Sequence, residues 1–143
     1  MLFNVYGPRQ NPDHPYANVT CKWAYAAAKK LPIKLFGDGR QTRDFVYIDD
    51  VVHAFLLART APSGGLFNVG TGVNQSIAGL RDLLEGIAAR PFEVEQLAPW
   101  SNDIRDIRAD CSRLRESTGF APTTELRDGL QKTYEWFLAR PRG

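Results

Sequence analysis

The residues best suited to chemistry fall in Gln41-Thr42-Arg43-Asp44-Phe45-Val46-Tyr47, where an arginine and an acid stand at the mouth of an extended run. A guanidinium presents a planar fork of N–H donors that matches phosphate oxygens. Arg43 is therefore either a phosphate ligand or half of a structural ion pair. Asp44 either orients that guanidinium or simply salt-bridges it. A second charged cluster, Asp103-Ile104-Arg105-Asp106-Ile107-Arg108-Ala109-Asp110, alternates in sign along an extended piece. On its own it reads as a solvated edge strand, blunted by charge against unwanted pairing.

Other chemistries find no support. A dinucleotide fingerprint needs glycines in a strand-to-helix turn that brings pyrophosphate against helix N–H groups. Gly70-Thr71-Gly72-Val73-Asn74-Gln75 has the first two glycines but Gln75 at the third position, and no strand with a ribose-binding acid follows. It reads as a tight turn that requires positive φ, as does Gly37-Asp38-Gly39. There is no P-loop, and no serine sits in a G-x-S-x-G elbow. Cys21, Cys111, His14 and His53 have no metal-ligand spacing, so the cysteines read as two reduced thiols. Asp49-Asp50 stand where a helix begins, and capping explains them better than acid–base work.

The elements that must position these groups alternate in type. Leu2 to Tyr6 reads as a strand closed by Gly7-Pro8, and a polar loop follows from Arg9 to His14. A helix is expected over Tyr16 to Lys30, with cations in its last turn and Pro32 beyond it. Ile33 to Phe36 is a short strand, and Asp44 to Ile48 is extended. Asp49 or Asp50 then caps a helix to about Thr60, with Val51, Val52, Ala54, Phe55 and Leu56 as its apolar positions. Pro62-Ser63-Gly64-Gly65 is a turn, and Leu66 to Val69 reads as a buried strand. Ser76 caps a helix over Ile77 to Arg90 whose apolar face is Ile77, Leu80, Leu83, Leu84 and Ile87. Phe92 to Leu97 alternates as a half-buried strand should. Ile107 to Ala109 is a short extended piece. Ser112 to Thr118 is a short helix ended by Gly119. Pro122 and Thr124 lead into a last helix to Ala139, with Leu126, Leu130, Tyr134 and Phe137 on one face. Strands alternating with helices indicate the α/β class. The elements' shortness suits a substrate-binding domain better than a complete doubly wound sheet.

Bulk properties narrow the partners. The 143 residues suffice for one domain with its own core, here taken as residues 1–143. The composition is 43% hydrophobic and 24% charged, as in ordinary globular proteins. A net charge of +2 gives no reason to expect nucleic acid or a membrane surface. No apolar run approaches the roughly 20 residues that span a bilayer. Met1-Leu2-Phe3-Asn4-Val5-Tyr6 lacks a basic leader, so no signal peptide is expected and a cytoplasmic location is the default.

Several of these segments resemble the extended short-chain dehydrogenase/reductase family, the NAD-dependent epimerases and dehydratases that include UDP-sugar 4-epimerases. The stretches are Phe3-Asn4-Val5-Tyr6-Gly7-Pro8-Arg9-Gln10; Phe36-Gly37-Asp38-Gly39-Arg40-Gln41-Thr42-Arg43-Asp44-Phe45-Val46-Tyr47-Ile48-Asp49-Asp50-Val51-Val52; Phe67-Asn68-Val69-Gly70-Thr71-Gly72; and Asp103-Ile104-Arg105 running on to Ala109-Asp110. They occur in the family's order. The resemblance covers only the family's C-terminal, substrate-binding part. The glycine-rich NAD loop and the Tyr-x-x-x-Lys pair of the Rossmann half have no counterpart. Tyr25 followed by Lys29 has the spacing, but it lies after the Tyr-Gly-Pro segment instead of before it.

The resemblance implies roles for particular residues. Asn4 matches an asparagine that touches the sugar or diphosphate. Asn18 and Val19 match the start of a helix whose N–H groups face the diphosphate. Lys34 and Phe36 match positions flanking the nucleotide base, Arg43 the phosphate-binding arginine, and Asp103 an acid on the ribose. One stretch departs from the family. Where Arg-x-Gly-Asp is common, this chain has Trp100-Ser101-Asn102-Asp103. Loss of that guanidinium weakens a phosphate contact by about 1.5–3 kcal/mol. Trp100 is left with two readings, a ring that stacks on base or sugar, or relaxed selection on binding. The ligand implied is a UDP- or dTDP-sugar. NAD belongs to the complete family enzyme, and the chain alone is expected to bind none. The partner expected is a second copy or a separate Rossmann half, because the flank of the Leu2–Tyr6 strand needs cover. The alternative is a stand-alone binding or interaction module that keeps the fold without the chemistry.

Overall fold

The computed structural model describes residues 1–59, 61 and 65–140. The expected helix end at Thr60 and the turn residues Pro62, Ser63 and Gly64 lie outside them. The chain is α/β, with short strands and helices interleaved: β1 (Val5–Tyr6), α1 (Val19–Lys29), β2 (Ile33–Phe36), β3 (Thr42–Arg43), β4 (Val46–Tyr47), α2 (Ile48–Ala58), β5 (Gln75–Ser76), α3 (Ile77–Ala88), β6 (Val94–Leu97), α4 (Ser112–Thr118) and α5 (Leu126–Ala139).

A two-strand ribbon separates two apolar clusters. β1 and β4 run parallel, Val5 opposite Val46 and Tyr6 opposite Tyr47. Neighbouring residues of a strand face opposite sides. Tyr6 and Tyr47 accordingly join α1, α3 and α5 in the larger cluster, around Trp23, Leu80, Leu130 and Phe137. Val46 and Val5 point the other way, toward Val51 and Ala54 of α2, Leu114 of α4 and Phe120. β2 pairs with β6 in parallel, and β3 pairs with β5 antiparallel.

The helices form where periodicity and caps agree. Asn18 caps α1, its side-chain oxygen accepting from Cys21 N at 3.1 Å. The helix therefore starts at Val19, not at Tyr16, whose side chain is almost wholly exposed. Ser76 caps α3 as expected, accepting from Gly79 N at 3.0 Å. That helix ends two residues early, because Ala89 takes a left-handed conformation. Gly119 closes α4, and α5 presents the expected face.

Four expectations are corrected. Neither Asp49 nor Asp50 caps α2. Its N-cap is Tyr47, and both acids sit in the first turn. Asp50 is buried and accepts from Thr123 N (2.9 Å), Thr123 Oγ1 (3.1 Å) and Thr124 N (3.1 Å), so it anchors the entry to α5. Of the apolar positions on α2, only Val51 and Ala54 are buried; Val52, Phe55 and Leu56 are exposed. Leu66 to Val69 is not a buried strand. Val69 alone bridges, to Leu2, and Leu66 is 73% exposed. β6 is mostly exposed instead of half-buried, since in its two-strand sheet Ile33 and Leu35 of β2 fill the core.

Candidate functional site

The side chains of β2 alternate. Ile33 and Leu35 enter the core, while Lys34 and Phe36 stay at the surface. Their outward side forms one wall of a cleft of about 270 Å³. All seven residues singled out from the sequence line it: Asn4, Asn18, Val19, Lys34, Phe36, Arg43 and Asp103. Trp23, Gln41, Ile77 and Trp100 complete the lining.

Each wall is fixed by identifiable bonds. Asn18 uses both ends of its amide, Oδ1 for the α1 cap and Nδ2 to donate to Val5 O at 2.7 Å. That bond ties the start of α1 to β1. Asn4 Nδ2 donates to Asp44 O at 2.9 Å. Trp23 Nε1 donates to Lys34 O at 3.2 Å, which fixes its indole beneath β2. Gln41 Nε2 donates to Phe36 O at 2.9 Å. Lys34 meets Glu95 at 3.8 Å with both groups largely in solvent, a weak restraint.

Arg43 is a crosslink as well as a cation. Its Nη1 donates to Thr42 O and to Ile104 O, both at 2.7 Å, and its Nη2 donates to the Asp103 carboxylate. The charged 103–110 segment is therefore held against β3. Thr42 N donates to Arg105 O at 2.7 Å, Ile107 N donates to Thr42 O at 3.2 Å, and Thr42 Oγ1 bonds the Asp106 carboxylate at 2.7 Å. A guanidinium has five N–H donors, so three engaged donors leave two without a partner among the described residues. The pair is mostly shielded, with 15% of the Arg43 side chain and 31% of that of Asp103 exposed.

Asp44 does not serve Arg43, contrary to both sequence readings of it. It is fully buried. Its Oδ1 accepts from Thr71 N (2.8 Å) and Thr71 Oγ1 (2.7 Å), and its Oδ2 from Gly72 N (2.8 Å) and Ala109 N (3.0 Å). The Gly70–Gly72 turn is packed around this carboxylate. A Cβ on Gly70 would stand 2.5 Å from Ala109 Cβ and 3.0 Å from Asp44 Oδ2. The turn's N–H groups are thus committed to an internal anion, and these residues do not fit a dinucleotide's pyrophosphate. Tyr25 packs edge-on against Phe137 and Lys29 Nζ donates to Arg140 O at 2.6 Å, so that pair is structural.

Sequence reasoning missed Trp23, Gln41 and Ile77. Trp23 lies four residues beyond Val19, one helical turn along the same face, which was its available signal. Among the described residues no group of three or more histidines, cysteines or acids is arranged to hold a metal. No described helix is long and apolar enough to cross a membrane.

The chain has close relatives of known structure. The family model described as NAD dependent epimerase/dehydratase family matches residues 1–70. The UDP-glucose 4-epimerase of Mycolicibacterium smegmatis is 44% identical over 135 residues, covering 94% of this chain and 43% of that protein. The crystal structure of UDP-glucose 4-epimerase from Thermotoga maritima, with UDP-glucose, superposes with a TM-score of 0.89 at 36% identity, over 95% of this chain and 44% of that one. A Thermus thermophilus UDP-glucose 4-epimerase in complex with NAD gives a TM-score of 0.87 at 31% identity, over 96% and 45%. The chain thus spans less than half the length of these relatives.

Proposed function

Because the chain belongs to the NAD-dependent epimerase/dehydratase family, we propose that its cleft binds the nucleotide diphosphate of a UDP- or dTDP-sugar. In this reading the 143 residues are the substrate-binding portion of an epimerase or dehydratase and are not catalytic by themselves. The observation that carries it is the convergence of Asn4, Asn18, Val19, Lys34, Phe36, Arg43 and Asp103 on one cleft, although they come from positions up to 99 residues apart. The Thermotoga relative, solved with UDP-glucose, supports the ligand class. In this reading NAD is the cofactor of the complete enzyme.

Within the cleft the proposed division of labour follows the chemistry. The two unengaged N–H groups of Arg43 meet diphosphate oxygens, the first turn of α1 adds its partial positive charge, and Asp103 accepts from a ribose hydroxyl. Titration with UDP-, dTDP- and GDP-sugars, comparing the chain with Arg43→Ala and Arg43→Lys, tests this. Arg43→Ala is expected to weaken binding by about 1.5–3 kcal/mol, the worth of a charge-assisted bond. Arg43→Lys restores the charge but not the fork and falls between. Binding untouched by Arg43→Ala, or absent from the unsubstituted chain, overturns the reading.

A second reading is favoured by the exposed side chains of Val52, Phe55 and Leu56 on α2. In it the chain is an interaction module whose α2 is covered by a second copy.

A further inference from the structure

Trp100 stands where three hollows of the surface meet. With Phe36 it lines the cleft above, an adjoining hollow of about 440 Å³ floored by Trp23 and Ile33, and another of about 650 Å³ edged by Arg105. The residue is 65% exposed. Its ring centroid is 5.2 Å from that of Phe36, with the two planes at 58°. The backbone holds it there. Asp103 N donates to Trp100 O at 3.2 Å, closing a turn over Ser101 and Asn102. One four-residue turn therefore presents both the indole and the carboxylate that grips Arg43.

This juxtaposition suits a ligand that is planar at one end and anionic beside it. We propose that Trp100 is the platform on which the base of the bound nucleotide lies, with Phe36 bracing the indole from the side. The proposal rests on the nucleotide reading of the cleft and adds the residue that takes hold of the base. An indole face stacks with any base, because every base has a π-face. A guanidinium at the same place would grip phosphate instead. In this chain that end of the site relies on stacking, and the diphosphate is left to Arg43. Trp100 is accordingly a binding residue in its own right.

The test uses the whole chain and its three tryptophans. UDP, uridine and pyrophosphate are titrated separately while the indole N–H resonances are followed, Trp100 being assigned by its disappearance in Trp100→Phe. The Trp100 resonance is expected to move with UDP and with uridine but not with pyrophosphate. Trp100→Ala is expected to weaken UDP about 5- to 150-fold, the range for loss of one base–aromatic stack. Trp100→Phe keeps most of the affinity, and pyrophosphate binding is unchanged in both variants. Thermal melts confirm that the variants fold. Trp100→Ala binding UDP as tightly as the unsubstituted chain overturns the proposal, as does a Trp100 signal that follows pyrophosphate. If the unsubstituted chain binds no UDP, the nucleotide reading falls and this inference with it. If it binds UDP with Trp100 unmoved, this inference alone falls.

Discussion

Cys21 shows how burial sets the chemistry of a single group. Its side chain has no solvent exposure. Loss of hydration pushes the thiol from its usual 9.0 up to about 11, with Lys22 drawing it slightly back and Asp13 raising it. Burial raises Cys111 and the hydroxyls of Tyr6 and Tyr47 as well. The folded state thus retains protons that the unfolded state releases. Well below pH 9 both states hold the Cys21 proton and stability is unaffected. Between 9 and about 11 only the unfolded chain loses it, so stability falls as pH rises. Urea midpoints from pH 8 to 10.5 are expected to decline, and more shallowly in Cys21→Ala, since Cys111 and the tyrosines keep contributing. An identical decline in that variant would show that Cys21 is not the source. Both cysteines are free, and burial favours the protonated thiol in each.

The packing of elements turns on where one helix meets one ribbon. Gly129 of α5 lies over Tyr6 and Tyr47. A Cβ there would stand 2.2 Å from Tyr6 Oη and 2.9 Å from Tyr47 Cδ2. Glycine inside a helix ordinarily costs about 1 kcal/mol relative to alanine. Here the sign reverses, because overpacking costs about 1–3 kcal/mol and Tyr6 is already buried. Gly129→Ala is expected to lower the urea midpoint, and Tyr6→Phe in the same chain to recover part of the loss by removing the hydroxyl. A midpoint equal to or above that of the parent would refute the packing argument. The helices themselves were legible. α1, α3 and α5 each carry an apolar stripe, and Ser76 marks its helix start. Of the ribbons, β1, β2, β4 and β6 fall within the stretches expected to be extended, and the β3–β5 pair was not legible. β3 and β5 are the dipeptides Thr42–Arg43 and Gln75–Ser76, too short and polar to show alternation. Leu66 to Val69 misled for a different reason, since the run bonds Met1 and Phe3 and buries Val69 but leaves Leu66 in solvent.

At the scale of the whole molecule, the cleft was legible only through resemblance. Composition and spacing left Arg43 divided between phosphate ligand and structural pair, and the structure makes it a crosslink with two donors left over. Asp44 and Asp50 were misassigned because their partners lie 27 to 74 residues away, beyond any local signal. The surface carries one further consequence of the fold. Val52, Phe55 and Leu56 recur at i, i+3 and i+4 on α2, so they form one exposed apolar stripe. Leu2 and Leu66, beside the Leu2–Val69 bridge, are exposed too. Sedimentation is expected to show association that strengthens with concentration and is lost in Phe55→Glu. A single monomeric species at high concentration would count against a second copy on this face.

The Asp44 carboxylate also fixes an order of events. A chain is made from its amino end, and Asp44 emerges 27 residues ahead of Thr71, 28 ahead of Gly72 and 65 ahead of Ala109. Until Ala109 has been added, the carboxylate lacks a donor that its buried position demands. Arg43 waits in the same way for Ile104 and Asp103. The wall of the cleft that carries Arg43 is therefore finished by late residues closing onto early ones, and a ribosome-bound chain that stops short of residue 109 has no completed cleft.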